Sequence, residues 1–220
     1  MGGGPSSLTR GVQARLETWV RIGAPAEVQE YLRTGVKVEF TSGREPPPIK
    51  GREVQMSPEQ LGWWRGSSAA PGERGRLMEK GAWEPAPSGE HRWLSGAFLV
   101  PKGDGGWRLV INLSRLNIWV RKKRCRFETL KQLRHIARKG DWMISWDISD
   151  GFYHVPIHPD HRKYFRFLVD GEVLQMRSLP MGYCNSPQIF TKVMRVVVAA
   201  LRGGSLAARA ASERPGSYQA

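Results

Sequence analysis

The sequence predicts an α+β domain, and two observations carry that assignment. Apolar runs lie on either side of turn segments in the manner of β-hairpins: residues 97–100 and 107–113 flank Gly103-Asp104-Gly105-Gly106, and residues 164–169 and 173–178 flank Asp170-Gly171. Between and after these hairpins apolar residues recur at helical spacing. Leu130, Leu133, Ile136 and Ala137 mark a helix over 128–137, and Ser186-Pro187 opens another that runs to about Leu201.

Taken in order, residues 1–12 are rich in Gly and Ser and predict a mobile start. Leu16, Trp19, Val20 and Ile22, then Val28, Tyr31 and Leu32, predict two short helices broken near Gly23-Ala24-Pro25. Residues 36–56 read as extended and Pro-rich. Ser57-Pro58-Glu59-Gln60 starts a helix, with Ser57 as cap and Pro58 in the first position. Gly, Ser, Pro and charge over 66–90 predict loop. Gly140-Asp141 turns into an apolar run, 142–146, that ends in Asp147. Residues 203–220 are small, polar and non-periodic and predict an unstructured tail. The expected organisation is therefore an N-terminal extension over 1–90, partly helical and loop-rich, a folded unit over 91–202, and a tail over 203–220.

Bulk properties narrow the partners. Thirty-four Lys and Arg against 20 Asp and Glu give the chain a net charge of +14, a field that attracts polyanions. The apolar fraction, 40%, is enough for a core and argues against disorder of the whole chain. Two cysteines, Cys125 and Cys184, make neither a disulfide framework nor a zinc site. There is no apolar leader at the start, and the late run 196–201 is too short to span a bilayer, so an intracellular setting without membrane contact is expected.

Three clusters bear chemistry. Lys102 and Arg108 stand on either side of the first hairpin turn, where two cations can fold over a triphosphate; a solvated hairpin tip explains them as well. Asp147 ends a buried strand, a costly place for an acid unless a cation meets it, and Asp150 follows three residues on. Metal-assisted phosphoryl transfer needs such carboxylates; an acid capping a turn is the plainer alternative. Residues 179–187 lead from a hairpin into a helix, and Gly182 there permits close backbone approach or positive φ, so that the loop can lie against a base pair; an ordinary loop with a capped helix is the plainer alternative. Arg121, Lys122, Lys123 and Arg124 form a nucleic-acid track, a nuclear localisation signal or a solvated stretch. His154, His158 and His161 raise metal binding as a minor alternative.

The order and spacing of these pieces resemble a retroelement reverse transcriptase. Phe98-Leu99-Val100-Pro101-Lys102 with residues 106–113 and Arg115-Leu116-Asn117 looks like its fingers. Asp147-Ile148-Ser149-Asp150-Gly151-Phe152-Tyr153 resembles its first palm motif, and Leu179-Pro180-Met181-Gly182 with Ser186-Pro187 and Phe190 the next. Phe127-Glu128-Thr129-Leu130 and residues 158–163 look most like DIRS-type elements. The resemblance implies right-hand polymerase fingers and a partial palm. It implies RNA-templated DNA synthesis on a DNA primer from deoxynucleoside triphosphates, with Mg²⁺. Asp147 and the Ile148 carbonyl would hold metal. Lys102, Arg108, Asp150, Gly151, Phe152, Met181 and Gly182 would line the nucleotide site, with Phe152 the gate against a 2′-hydroxyl. Arg121 to Arg124, Ser186 and Pro187 would face nucleic acid.

Two departures from the family pattern stand out. Met181 occupies a position where many relatives carry Gln. The family's aromatic-x-Asp-Asp signature is missing, because no two aspartates are adjacent in the sequence. The chain is therefore expected to be inactive alone, and whether a further chain supplies the missing palm is left open by the sequence. The other expectations are a non-catalytic nucleic-acid-binding remnant, or an unstable product with an open sheet edge.

Overall fold

The structure, a computed structural model, describes residues 8–67, 72–103, 106–125, 140 and 147–202. Its helices are α1 (Leu8–Gln13), α2 (Leu16–Arg21), α3 (Ala26–Thr34), α4 (Pro58–Arg65), α5 (Glu73–Glu79), α6 (Ser114–Asn117) and α7 (Ser186–Arg202). The strands are β1 (Trp83–Pro85), β2 (Leu94–Pro101), β3 (Trp107–Asn112), β4 (Arg166–Val169) and β5 (Glu172–Met176), in sheet order β1-β5-β4-β2-β3. The α+β expectation is met. No described helix is long and apolar enough to cross a membrane. The predicted helix over 128–137, the run 142–146 and the tail lie outside the described residues.

Strand β2 is the hinge of this sheet. Leu94 and Ser95 pair in parallel with Arg166 and Phe167, and Gly96 to Pro101 pair antiparallel with Asn112 to Trp107. One strand thus ties the β1-β5-β4 platform to the hairpin that carries Lys102 and Arg108. The β4–β5 turn forms where the sequence places it. Asp170 and Gly171 both adopt positive φ, 52° and 71°, which a two-residue hairpin turn demands. On β4 and β5 the residues Phe167, Val169, Leu174 and Met176 face the core.

The core gathers helices from before residue 90 and strands from after it. Trp64 of α4 packs on Trp83 of β1 at 5.4 Å between ring centroids, and Trp83 on Phe167 of β4 at 5.8 Å. Trp64 is fully buried and its Nε1 has no acceptor among the described residues. An unpaired donor costs about 1–3 kcal/mol. Burying roughly 150–250 Å² of ring contributes about 4–6 kcal/mol, so burial wins. Val28 and Leu32 of α3 join the same core. Gly35, at φ 96°, ends α3 against residues 157–158; an added Cβ would meet the His158 backbone nitrogen at 2.4 Å. Only glycine permits that approach, and with it the parallel bridge between Val36 and Ile157. Helices α1 to α5 and strand β1 therefore pack into the same core as the strands that follow.

Two expectations hold at the helix starts before residue 66. Pro25 sits between α2 and α3, and Ser57 closes a capping box with Gln60 at the head of α4. The expected loop over 66–90 is corrected: it contains α5 and β1. Leu77 is the one buried side chain of α5, too little to make a periodic pattern. Tertiary contacts supply what the pattern lacks, including the pairing of Trp83 with Met176 and an ion pair from Arg74 to Glu172 at 2.7 Å.

Candidate nucleotide and template site

The turn after Asp147 is held from outside its own neighbourhood. Asp150 takes a left-handed conformation, φ 56°, and leads into a 3₁₀ turn over Gly151–His154. Its carboxylate accepts from Lys80 Nζ at 2.6 Å and from Arg76 Nη1 at 3.3 Å, both presented by α5 and its C-terminal end. Burial pushes the Asp150 carboxyl up, but the Lys80 hydrogen bond and the Lys80 and Arg76 charges outweigh it and hold the group below its ordinary value. Arg76 is itself fixed by Glu73, at 2.7 and 2.8 Å. The Asp150 side chain is thus engaged with protein cations, and its part in a nucleotide site falls to the shape of the turn.

Asp147 is exposed, and so is the Ile148 side chain, which borders an apolar cavity of about 180 Å³ with Trp19, Phe190, Val193 and Met194. Gly151 lies under Phe190 of α7; an added Cβ would meet the ring at 2.9 Å. Phe152 packs edge-on to that same ring at 5.4 Å. Burial, then the charges of Asp150 and Glu73, push the Tyr153 hydroxyl up to about 12, with Arg76 and Arg108 opposing.

The second loop is clamped to the hairpin side by two asparagines. Asn117 Nδ2 donates to the Gly182 carbonyl at 2.8 Å, and Asn117 Oδ1 accepts from Cys184 N at 3.0 Å. Asn185 Oδ1 accepts from Lys123 N at 2.9 Å, and its Nδ2 donates to the Arg121 carbonyl at 3.0 Å. Each amide side chain pairs with backbone as a strand would. Gly182, at φ 95°, passes so close to β3 that a Cβ would lie 2.9 Å from the Ile111 carbonyl. Met181 stays exposed at the loop's outer edge. Ser186 is buried, and its hydroxyl donates back to the Pro180 carbonyl at 2.8 Å. It shapes the loop instead of offering a donor to a strand, and the half-buried Pro187 follows it in the first turn of α7.

The remaining cations divide. Lys102 is half-buried beside the hairpin turn, with its N–H donated to the Gly106 carbonyl at 2.7 Å, and Arg108 is exposed opposite Val100. Arg121, Lys122 and Arg124 are exposed. Lys123 is not free: its Nζ lies 2.6 Å from Glu39 and 3.9 Å from Glu27. The histidines are used locally. His161 Nδ1 accepts from Val38 N at 3.1 Å, His158 Nδ1 from Asp160 N at 3.3 Å, and His154 Nε2 lies 3.3 Å from the Ser149 carbonyl. Among the described residues no three His, Cys, Asp or Glu side chains converge on a metal position. With Asp150 engaged by Lys80 and Arg76, Asp147 is the carboxylate left in this motif for a cation. The described residues do not complete a two-metal site.

Sequence reasoning overlooked Arg76, Lys80, Asn117 and Asn185. Asn117 and Asn185 lay inside the motifs already noted, where a polar residue in an apolar-flanked loop was the available signal. Arg76 and Lys80 left none, since they meet Asp150 across at least 70 residues of chain.

A hairpin with two cations, an acid-bearing turn pinned by α5 and a glycine loop held by Asn117 are thus the parts of the candidate site. A family model for reverse transcriptase (RNA-dependent DNA polymerase) matches residues 100–208. The genome polyprotein of Petunia vein clearing virus (isolate Shepherd) is 26% identical over 163 residues, 72% of this chain and 7% of that polyprotein. The solved prototype foamy virus protease-reverse transcriptase (CSH mutant) superposes with a TM-score of 0.56 at 19% identity, over 87% of this chain and 27% of that one. A foamy viral protease-reverse transcriptase in complex with dsDNA gives 0.55 at 18%, over 84% and 40%. The chain contains a reverse transcriptase domain. It spans only a small part of the viral polyprotein and less than half of either solved chain.

Proposed function

We propose that this chain is the fingers and front palm of an RNA-directed DNA polymerase from a retroelement, DIRS-type or related. It would bind an RNA template with a DNA primer and take deoxynucleoside triphosphates, without forming new bonds by itself. The observation that carries this reading is the joint fixation of the three motifs. Asn117 and Gly182 bind the glycine loop to the hairpin side, and Lys80 and Arg76 pin the Asp147–Asp150 turn. Lys102 and Arg108 would then receive the triphosphate. Phe152, held edge-on by Phe190, would sit under the sugar. The family depends on a divalent metal, Mg²⁺ in the usual case. Asp147 with the Ile148 carbonyl would give part of its ligand set. The reading places the protein inside the cell, in nucleus or cytoplasm.

A non-catalytic nucleic-acid-binding role is the second reading, favoured by the net charge of +14 on a carboxylate set without adjacent aspartates. A primer-extension assay on an RNA template separates it from an active enzyme. Binding without extension is expected for the wild type. Extension that disappears in Asp147→Asn would show a complete active site and overturn the proposal.

A further inference from the structure

The outer face of the β1-β5-β4 platform holds more guanidinium charge than it neutralises. Glu84, Gln175 and Arg166 are cross-strand partners in register, on the face opposite Trp83, Phe167, Leu174 and Met176. Arg166 Nε donates to Gln175 Oε1 at 3.1 Å, and Gln175 Nε2 donates to Glu84 Oε1 at 2.8 Å. Arg162 Nη1 donates to the same Glu84 oxygen at 3.0 Å. Arg177 Nε lies 3.3 Å from Glu84 Oε2 but at an angle that makes no hydrogen bond, so this buried donor has no acceptor among the described residues. Arg166 Nη1 rests against His91 Nδ1 at 3.1 Å. Arg162 and Arg177 thus share one carboxylate, and Arg166 meets none among the described residues. The contrast lies nearby, where Arg65 faces Asp170 and Arg74 faces Glu172, each with an acid of its own.

Burial pulls both Arg166 and Arg177 below the ordinary guanidinium value, and for Arg177 the Glu84 charge resists while Arg162 and Arg10 add to the fall. An under-compensated, partly desolvated guanidinium gains most from an added anion. The side chains of Arg162 and Arg177 keep 18% and 26% of their surface, so solvent-borne ions reach them.

We propose that Arg162, Arg166 and Arg177 form a phosphate-binding site for the backbone of a nucleic-acid strand, additional to Lys102 and Arg108. Planar guanidinium forks held by a sheet suit a tetrahedral oxyanion better than a single lysine would. Glu84 and Gln175 hold the forks apart and in register. Glu84 also competes with the incoming phosphate, so the carboxylate sets the affinity as well as the geometry. The proposal rests on the polymerase reading only for its choice of nucleic acid as the polyanion.

The test is binding of a fluorescent single-stranded oligonucleotide to the full chain at several salt concentrations, with inorganic pyrophosphate as the free-phosphate comparison. Glu84→Gln keeps shape and a hydrogen-bond acceptor but removes the competing charge; oligonucleotide affinity should rise about threefold or more. Arg166→Gln should weaken binding and lower the salt slope by about 0.7, one phosphate contact fewer. Arg65→Gln should change neither. A merely structural network predicts the opposite for Glu84→Gln, lost stability with no gain in affinity. Unchanged affinity and slope in both variants overturn the site, and a gain for pyrophosphate alone overturns the strand backbone as its ligand. If Glu84→Gln does not fold, Arg166→Gln and Arg166→Lys decide, the lysine restoring charge without the fork. Should the wild type fail to bind an RNA–DNA primer–template while these single-strand changes persist, the polymerase reading fails and this site stands.

Discussion

Removing the Asn185 side chain should strip the loop before α7 of two backbone partners. Asn185 is 2% exposed and satisfies two backbone groups, the Lys123 N–H at 2.9 Å and the Arg121 carbonyl at 3.0 Å. Asn185→Ala strands both. A buried group left unpaired costs about 1–3 kcal/mol. Lys123 is half-buried and Arg121 exposed, so water recovers part of that loss. The net expectation is about 2–3 kcal/mol, a large share of the roughly 5–15 kcal/mol that a domain commands. For a chain of this size that lowers the melting midpoint by about 4–12 °C. Asn185→Asp sharpens the test. It keeps the acceptor for Lys123 N but turns a carboxylate oxygen toward the Arg121 carbonyl, and should destabilise at least as much as alanine. Urea unfolding followed by tryptophan fluorescence measures both variants. A cost under about 0.5 kcal/mol for alanine, or a harmless aspartate, would refute the clamp.

Other expectations follow from the same site. Gly182→Ala forces a side chain into a left-handed conformation, 2.9 Å from the Ile111 carbonyl, and should cost about 1–3 kcal/mol in the same unfolding assay. The Asp150 carboxyl is held below its ordinary value, so its stabilising contribution is present above the unfolded value and lost as pH falls through the depressed folded one. Asp150→Asn, which tolerates the left-handed turn, should flatten the acid limb of a melting-midpoint profile; an unchanged limb would count against the Lys80 and Arg76 contacts. His161 titrates low because burial, then the charges of His158, Lys37 and Lys163, disfavour its protonation. Its contribution is therefore complete above the ordinary histidine value and is lost as pH falls through the lower folded one. Protonation at Nδ1 would also break the bond from Val38 N. His161→Asn should make the midpoint less dependent on pH below about 6.5, and a parallel profile would argue that the ring is not an acceptor.

Local chemistry decided what the sequence could show. Asp170-Gly171 specifies a two-residue turn because both positions need positive φ, and the flanking strands alternate in and out of the core. The α7 start was readable from Ser186-Pro187, yet the Ser186 hydroxyl turns back to Pro180, a choice made by the loop's path and not by the dipeptide. Helix α5 carried no periodic signal because one buried leucine and several ion pairs hold it. The motif residues Asp147, Gly151 and Gly182 were legible, since each type is costly or rare elsewhere. The groups that fix them were not. Lys80 reaches Asp150 across 70 residues, and Arg162 and Arg177 meet on Glu84 from 78 residues or more away. Such pairs exist only after the strands have paired.

The most direct test of the central claim is the salt dependence of binding to an RNA–DNA primer–template, measured by fluorescence anisotropy on the 220-residue chain. The account predicts a linear fall of log affinity with log salt, with a slope that drops when Lys102 and Arg108 are both replaced by Gln. Absent binding, or binding indifferent to salt and to those two residues, would contradict it.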